Sequence, residues 1–133
     1  MAYSWPARVY WEDTDAGGVV YYANYLKFLE RARSEWLRRL GFEQDVLRER
    51  QGIAFVVRRV EIDYLSPARF NDALDISVEP GAARRASLEI AQTIRRGSTR
   101  LAEAQVKLAC VEAATFKPVR IPASILLAAG LAP

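Results

Sequence analysis

The chain has 133 residues, 51% of them apolar and 26% charged, with a net charge of +3. That length suits one domain with one core over residues 1–133 and leaves no room for a second. The charge is too small for a nucleic-acid surface and no apolar run approaches a membrane span. Met1-Ala2-Tyr3-Ser4-Trp5-Pro6 also lacks the basic-then-apolar layout of a signal peptide, so a cytoplasmic address is expected.

Ala7 to Glu12 reads as a first strand, with Val9 and Trp11 on one face and Arg8 and Tyr10 on the other. Asp13 to Gly18 is a turn, because Asp, Thr and two glycines favour bends. Asn24 to Leu40 is the clearest helix. Tyr25, Phe28, Leu29, Ala32, Trp36 and Leu40 recur at helical spacing, Asn24 is the expected N-cap, and Gly41 the expected stop. A short helical piece is expected around Gln44 to Arg50.

After Gly52 the period changes from 3.6 to 2. Ile53 to Leu65 predicts a long strand with Val56, Val60, Ile62 and Tyr64 on one face and a bulge near Arg58. Leu74, Ile76 and Val78 mark the next strand, ended by Pro80-Gly81. Ala86 to Arg95 follows, then a hairpin turn at Arg96-Gly97-Ser98-Thr99, then Leu101 to Val111. Ile125-Leu126-Leu127 predicts a short docked helix in the tail. Consecutive hairpin-linked strands make an antiparallel sheet, and one amphipathic helix covers only one of its faces. The other face carries Arg59, Glu61, Glu103 and Lys107, which makes it wet or an interface.

The missing residue types bound the chemistry. There is no histidine, which removes Ser-His-Asp and Cys-His catalysis and argues against a zinc site. The single cysteine, Cys110, sits in an apolar run and reads as a buried structural thiol. Acid–base work therefore falls to Asp, Glu, Tyr, Lys or water.

The run from Tyr10 to Tyr25, YWEDTDAGGVVYYANY, resembles the motif of the hotdog-fold acyl-CoA thioesterases of the 4-hydroxybenzoyl-CoA thioesterase and YbgC type. Glu30-Arg31-Ala32-Arg33, the run Val60 to Ala68 and the run Lys117 to Pro122 match as well, so the likeness covers roughly residues 7 to 122. It implies an α+β hotdog fold, one long helix wrapped by a curved antiparallel five-stranded sheet. It also implies hydrolysis of a small acyl-CoA, short-chain or aromatic, with no cofactor or metal. Asp15 matches the family's catalytic carboxylate, whereas Asp13 reads as a turn or supporting group. Tyr22 stands where YbgC-type sequences carry His and the hydroxybenzoyl-CoA type carries Tyr; its backbone N–H matches the group that polarises the thioester carbonyl.

The chemistry of the residue types agrees with that likeness. Asp15 can attack the carbonyl or deprotonate water. Backbone N–H groups around Gly18, Val19 and Tyr22, at the positive end of the helix, can stabilise the oxyanion. CoA phosphates call for cations, and Arg59, Arg85 and Lys117 head a set that includes Arg84, Arg95 and Arg96. The resemblance further implies a homodimer assembling to a homotetramer, with sites between subunits. A non-catalytic acyl-thioester-binding or Tol–Pal-associated protein on the same fold is the alternative. A hydratase is disfavoured, because such enzymes rely on a His that this chain lacks.

Overall fold

The structure is a computed structural model that describes residues 3–133; Met1 and Ala2, part of the segment judged not to be a signal peptide, lie outside the described residues. The elements run β1 (Tyr3–Arg8), α1 (Asn24–Arg39), α2 (Gln44–Gln51), β2 (Ile53–Tyr64), β3 (Ala73–Ala83), β4 (Ser87–Arg96), β5 (Thr99–Glu112) and α3 (Ala123–Ala128). The five strands form one antiparallel sheet in the order β1-β3-β4-β5-β2. The expected hotdog architecture is present, with α1 laid across the concave face.

The stripe that predicted α1 is the stripe that is buried. Tyr25, Phe28, Leu29, Ala32 and Trp36 are all in the core, joined by Leu37. They meet Leu74, Ile76, Val78, Leu88, Ile90, Ile94, Ala102, Ala104 and Val106 from the sheet. One polar residue shares that inner face. Gln92 donates from Nε2 to the Leu29 carbonyl (3.1 Å) and accepts from Arg33 at Oε1 (3.0 Å), which pins the helix to β4 with both ends of the amide satisfied. Gly41 ends α1 at φ +98°. Gly41 N–H bonds to Arg38 O and Phe42 N–H to Leu37 O, the paired closure that a left-handed residue makes possible.

Four expectations need correction. The first strand is Tyr3–Arg8, not Ala7–Glu12, because its partners on β3 run from Val78 to Ala73 and no further. Beyond it the Tyr10 N–H turns to Asp13 Oδ2 (2.8 Å), which draws Trp11–Asp13 into one 3-10 turn. Val9 is therefore buried, while Trp11 is 70% exposed. Asn24 does not cap α1. Ala23 occupies that position in helical conformation, and the Asn24 side chain donates instead to the Asp13 carbonyl (2.9 Å).

The third correction concerns β3, which continues through Pro80-Gly81 to Ala83 with a register shift. Among the described residues β1 pairs with β3 as far as Val78, and Pro80 sits beside the β3–β4 register shift, an irregularity where proline is tolerated. The fourth concerns β2. The expected bulge lies between Val57 and Arg59, and it switches the strand's phase. Phe55 and Val57 face inward before it, opposite Cys110 and Leu108. Val60 and Ile62 do so after it, opposite Val106 and Ala104. Val56 therefore falls on the other face from Val60. In α3, Ile125 and Leu126 dock as expected but Leu127 faces solvent. No helix among the described residues is long and apolar enough to cross a membrane.

Candidate active site

The two carboxylates of the Asp13–Gly18 turn have different fates. Asp13 is buried. Its Oδ2 takes the Tyr10 N–H, and its carbonyl takes both the Tyr21 N–H (3.1 Å) and the Asn24 side chain. It ties the turn to the start of α1. Asp15 is exposed and sits at the tip of a tight reversal, with Thr14 bridged to Val20. Its N–H donates to Val19 O (2.9 Å) and its carbonyl accepts from Gly18 N–H (3.0 Å). Asp15 Oδ1 accepts from Gly17 N–H at 2.8 Å, while Oδ2 has no partner among the described residues. Gly18 has φ +79°, which explains a glycine at the reversal. The turn is anchored to the sheet side by Val20 N–H on Ala68 O (2.8 Å) and by a bridge from Val19 to Arg69.

Of the backbone donors expected here, Gly18 N–H is already engaged by Asp15. The N–H groups of Val19, Tyr22 and Ala23 have no acceptor among the described residues. α1 has no acidic residue in its first turn and no side-chain cap, so its positive end is left for an outside group. A set of tyrosines frames it. Tyr25 accepts the Ala68 N–H at its hydroxyl (2.9 Å), and Tyr64 donates from its hydroxyl to the Tyr22 carbonyl (2.9 Å). Tyr64 meets Tyr25 edge-on at 5.1 Å and Tyr22 edge-on at 6.4 Å. Tyr21 titrates above its ordinary value, chiefly because of the Tyr22 phenol, with burial and the nearby Asp15 charge adding to it.

The expected cations are not gathered around this turn. Arg59 follows the β2 bulge, pairs with Glu61 and lies opposite Lys107 in the β2–β5 register. Arg85 and Lys117 lie at the far end of the sheet. The Arg85 carbonyl takes the Ile121 N–H, and the Lys117 carbonyl takes the Glu112 N–H. The Asp15 turn instead neighbours the end where Tyr64 pairs with Ala102. The ten residue-to-residue steps of β5 from Ala102 to Glu112 span about 33 Å at roughly 3.3 Å each.

Sequence reasoning missed Tyr64, which it took only as part of an apolar strand face. Its hydroxyl reaches a residue 42 positions away, and no local spacing signals that. It also missed Arg33. That guanidinium is largely buried, its pKa pulled down by burial against the opposing charge of Glu30. Arg33, Trp36, Leu37, Phe55, Leu108 and Ile125 are among the residues lining a cavity of about 110 Å³ near the C-terminal half of α1, away from Asp15.

Residues 9–129 match the family model described as the thioesterase-like superfamily. An acyl-CoA thioesterase YbgC of Haemophilus influenzae is 46% identical over 123 residues, covering 92% of this chain and 90% of the relative. A 1,4-dihydroxy-2-naphthoyl-CoA hydrolase of Thermosynechococcus vestitus is 30% identical over 115 residues, covering 86% of this chain and 79% of the relative. Among solved structures, a probable thioesterase from Bartonella henselae superposes with a TM-score of 0.88 at 38% identity, over 92% of this chain and all of that one.

Proposed function

Because this chain belongs to the thioesterase-like superfamily and is a thioester hydrolase, we propose that it cleaves a small acyl-CoA, short-chain or aromatic, with Asp15 as the reacting carboxylate. The observation that carries this is an Asp15 Oδ2 without a partner among the described residues, on the turn that leads into a helix start whose N–H groups have no acceptor among those residues and whose first turn has no acid. The carbonyl oxygen would sit on the Tyr22 N–H, with Val19 and Ala23 as neighbouring donors, where negative charge develops during attack.

Two balanced routes fit. In one, an Asp15 oxygen bonds to the acyl carbon, the carbon–sulfur bond breaks, and the thiolate leaves; water then hydrolyses the mixed anhydride and restores the carboxylate. In the other, Asp15 takes a proton from water, hydroxide attacks, and the protonated Asp15 returns its proton to the departing thiolate. Asp15→Asn should lower kcat by about three orders of magnitude or more with the fold intact. A mutant with near-normal turnover would refute the role. Single-turnover hydrolysis in ¹⁸O-water separates the routes, since only the anhydride puts label into the Asp15 side chain.

The relatives' names span general acyl-CoA and aromatic acyl-CoA substrates, so the acyl class is tested with a panel of both and a thiol-detecting reagent. We propose further that the free edge of β2 pairs with a second copy and that such dimers assemble to a homotetramer in the cytoplasm. The outermost place of β2 in the strand order supports this, since its far side meets no strand among the described residues. Arg59, Arg85 and Lys117 act on CoA phosphates in this scheme as cations supplied by a neighbouring protomer.

A further inference from the structure

Arg33 carries a charge that the chain itself leaves uncompensated. Its guanidinium is largely buried, yet no carboxylate lies within ion-pair distance of it among the described residues. Its one hydrogen bond among those residues goes to Gln92 Oε1 (3.0 Å), a neutral acceptor whose Nε2 is held by the Leu29 carbonyl. A guanidinium has several N–H donors in a rigid fork, so most of this one is left open. A cation taken out of water is costly unless an anion is brought to it.

That fork lines the cavity of about 110 Å³ near the C-terminal half of α1, whose apolar walls include Leu37, Phe55, Leu88, Leu108 and Ile125. The rim is polar. Gln44 Nε2 donates to Ser34 Oγ (3.0 Å), which ties α2 to α1 beside the opening, and the Ser34 hydroxyl donates to Glu30 Oε1 (3.3 Å). Glu30 is exposed, so water screens its charge and it offsets Arg33 only in part.

Size and chemistry together select a ligand. An apolar cavity of about 150 Å³ in another protein takes up benzene. A space of about 110 Å³ with an open rim therefore suits a short aliphatic chain whose head group stays at Arg33. The guanidinium fork matches a carboxylate through paired N–H···O bonds. A phosphate would press its remaining oxygens against leucine and isoleucine, where nothing satisfies them. We propose that this cavity is a second ligand site, which takes a small aliphatic carboxylic acid in its ionised form, with the carboxylate on Arg33 and the chain among Leu37, Leu108 and Ile125. Within a protomer it is separate from the Asp15 turn. Arg33 lies nine residues beyond the helix start at Asn24, about 14 Å along the axis at roughly 1.5 Å per residue, and Tyr25, Phe28 and Leu29 fill the core between. Binding here does not rest on the acyl-CoA reading. That reading supplies a source for the ligand, since hydrolysis of a short-chain acyl-CoA releases an acid of this class.

The test uses the full chain in its solution assembly, with butyrate as the probe and methyl NMR as the readout. Butyrate should shift the Leu108 and Ile125 methyl signals saturably. Butyramide, which has the same shape and no charge, should bind at least about tenfold more weakly. Arg33→Gln should weaken butyrate at least about tenfold and leave butyramide unchanged, while Arg33→Lys, which keeps the charge and loses the fork, should fall between. Glu30→Gln should tighten butyrate, since losing a nearby negative charge favours an anion. Saturating S-butyl-CoA, a thioether that cannot be hydrolysed, should leave butyrate affinity unchanged. A wild type without saturable shifts, butyramide binding as tightly as butyrate, or a folded Arg33→Gln protein with wild-type butyrate affinity overturns the site. If Arg33→Gln does not fold, the butyramide ratio and Arg33→Lys decide the same question. Displacement of butyrate by S-butyl-CoA puts the cavity in the thioester's own path and overturns a second site. If the chain hydrolyses no butyryl-CoA yet these methyls respond to butyrate through Arg33, the hydrolase reading fails and the cavity site stands.

Discussion

The hydroxyl of Tyr64, the last residue of β2, donates to the carbonyl of Tyr22 at 2.9 Å. That carbonyl belongs to the peptide whose N–H is Ala23's, one of the free donors at the entry to α1. The bond therefore fixes the plane of a peptide at the place where an oxyanion would be received. Tyr64→Phe removes the hydroxyl and keeps the ring contacts with Tyr22 and Tyr25. A lost hydrogen bond of about 1 kcal/mol, felt in the transition state, should lower kcat about fivefold with KM little changed. Amide exchange across residues 21–25 should quicken while the sheet stays protected. Unchanged exchange would remove Tyr64 from the positioning of this peptide.

Asp13 and Asp15 predict opposite mutant behaviour. Asp13→Ala strips the acceptor from the Tyr10 N–H and loosens the 3-10 turn next to the site. The cost should be about 2 kcal/mol, or roughly 8 °C in Tm. Asp15→Asn keeps an oxygen for the Gly17 N–H, so Tm should stay within about 2 °C while turnover collapses. Thermal melts beside rate measurements on the two variants test whether Asp13 supports the fold and Asp15 reacts, as proposed.

Local periodicity made α1 legible, since its stripe and the Gly41 stop act within a turn or two of themselves. The misreadings share a cause, which is that a distant or competing partner decided the outcome. Trp11 and Val9 alternate like a strand, but the Asp13 carboxylate captures the Tyr10 N–H and bends the chain. Pro80 looks like a strand end, but β3 continues through it beside a register shift against β4, where proline is tolerated. Val56 was put on the wrong face because a bulge shifts phase without changing composition. In the proposed site, the motif points to Asp15. Tyr64 was not legible, because its bond to Tyr22 is a product of the β2 to α1 packing.

Cys110 should be chemically silent. It is fully buried, and burial pushes its thiol up to about 11. At pH 8 about one thiol in a thousand would be ionised, and it is the thiolate that reacts. Iodoacetamide should leave the native protein unlabelled and fully active over hours, and label it readily once unfolded. Rapid native labelling with loss of activity would restore a role for sulfur.

Asp72 gives the stability a small acid-sensitive component. Burial alone would raise its carboxyl. The Arg69 backbone N–H, the Arg96 hydrogen bond and the charges of Arg96 and Arg69 outweigh that and hold it below its ordinary value. A lowered folded pKa means the unfolded chain binds the proton more readily. The stabilisation is therefore complete above the ordinary carboxylate range and is lost as pH falls through the folded value. The pair is only partly buried and solvent screens it, so the contribution should be under about 1 kcal/mol. Asp72→Asn should melt slightly below wild type at pH 7, and the gap should close near pH 3. A gap that persists in acid would trace the loss to the loop's hydrogen bonds rather than to charge.

Gly17 offers a way to move the Asp15 carboxylate without changing its chemistry. A Cβ added at Gly17 would lie 3.2 Å from Asp15 Oδ1, the oxygen that the Gly17 N–H holds at 2.8 Å. Gly17 is not among the positive-φ glycines, so alanine meets no backbone strain there and the methyl acts on the carboxylate alone. Gly18 is the contrast. A Cβ there meets nothing within 4 Å, but its φ of +79° makes any side chain strained. Gly18→Ala should therefore cost about 1 kcal/mol, or roughly 4 °C in Tm, through the backbone. Gly17→Ala should leave Tm near wild type and lower kcat about tenfold, because a carboxylate displaced by a few tenths of an ångström loses alignment with the carbonyl. If Gly17→Ala turned over at the wild-type rate, the orientation set by its N–H would have no part in the chemistry, and the free Oδ2 alone would carry it.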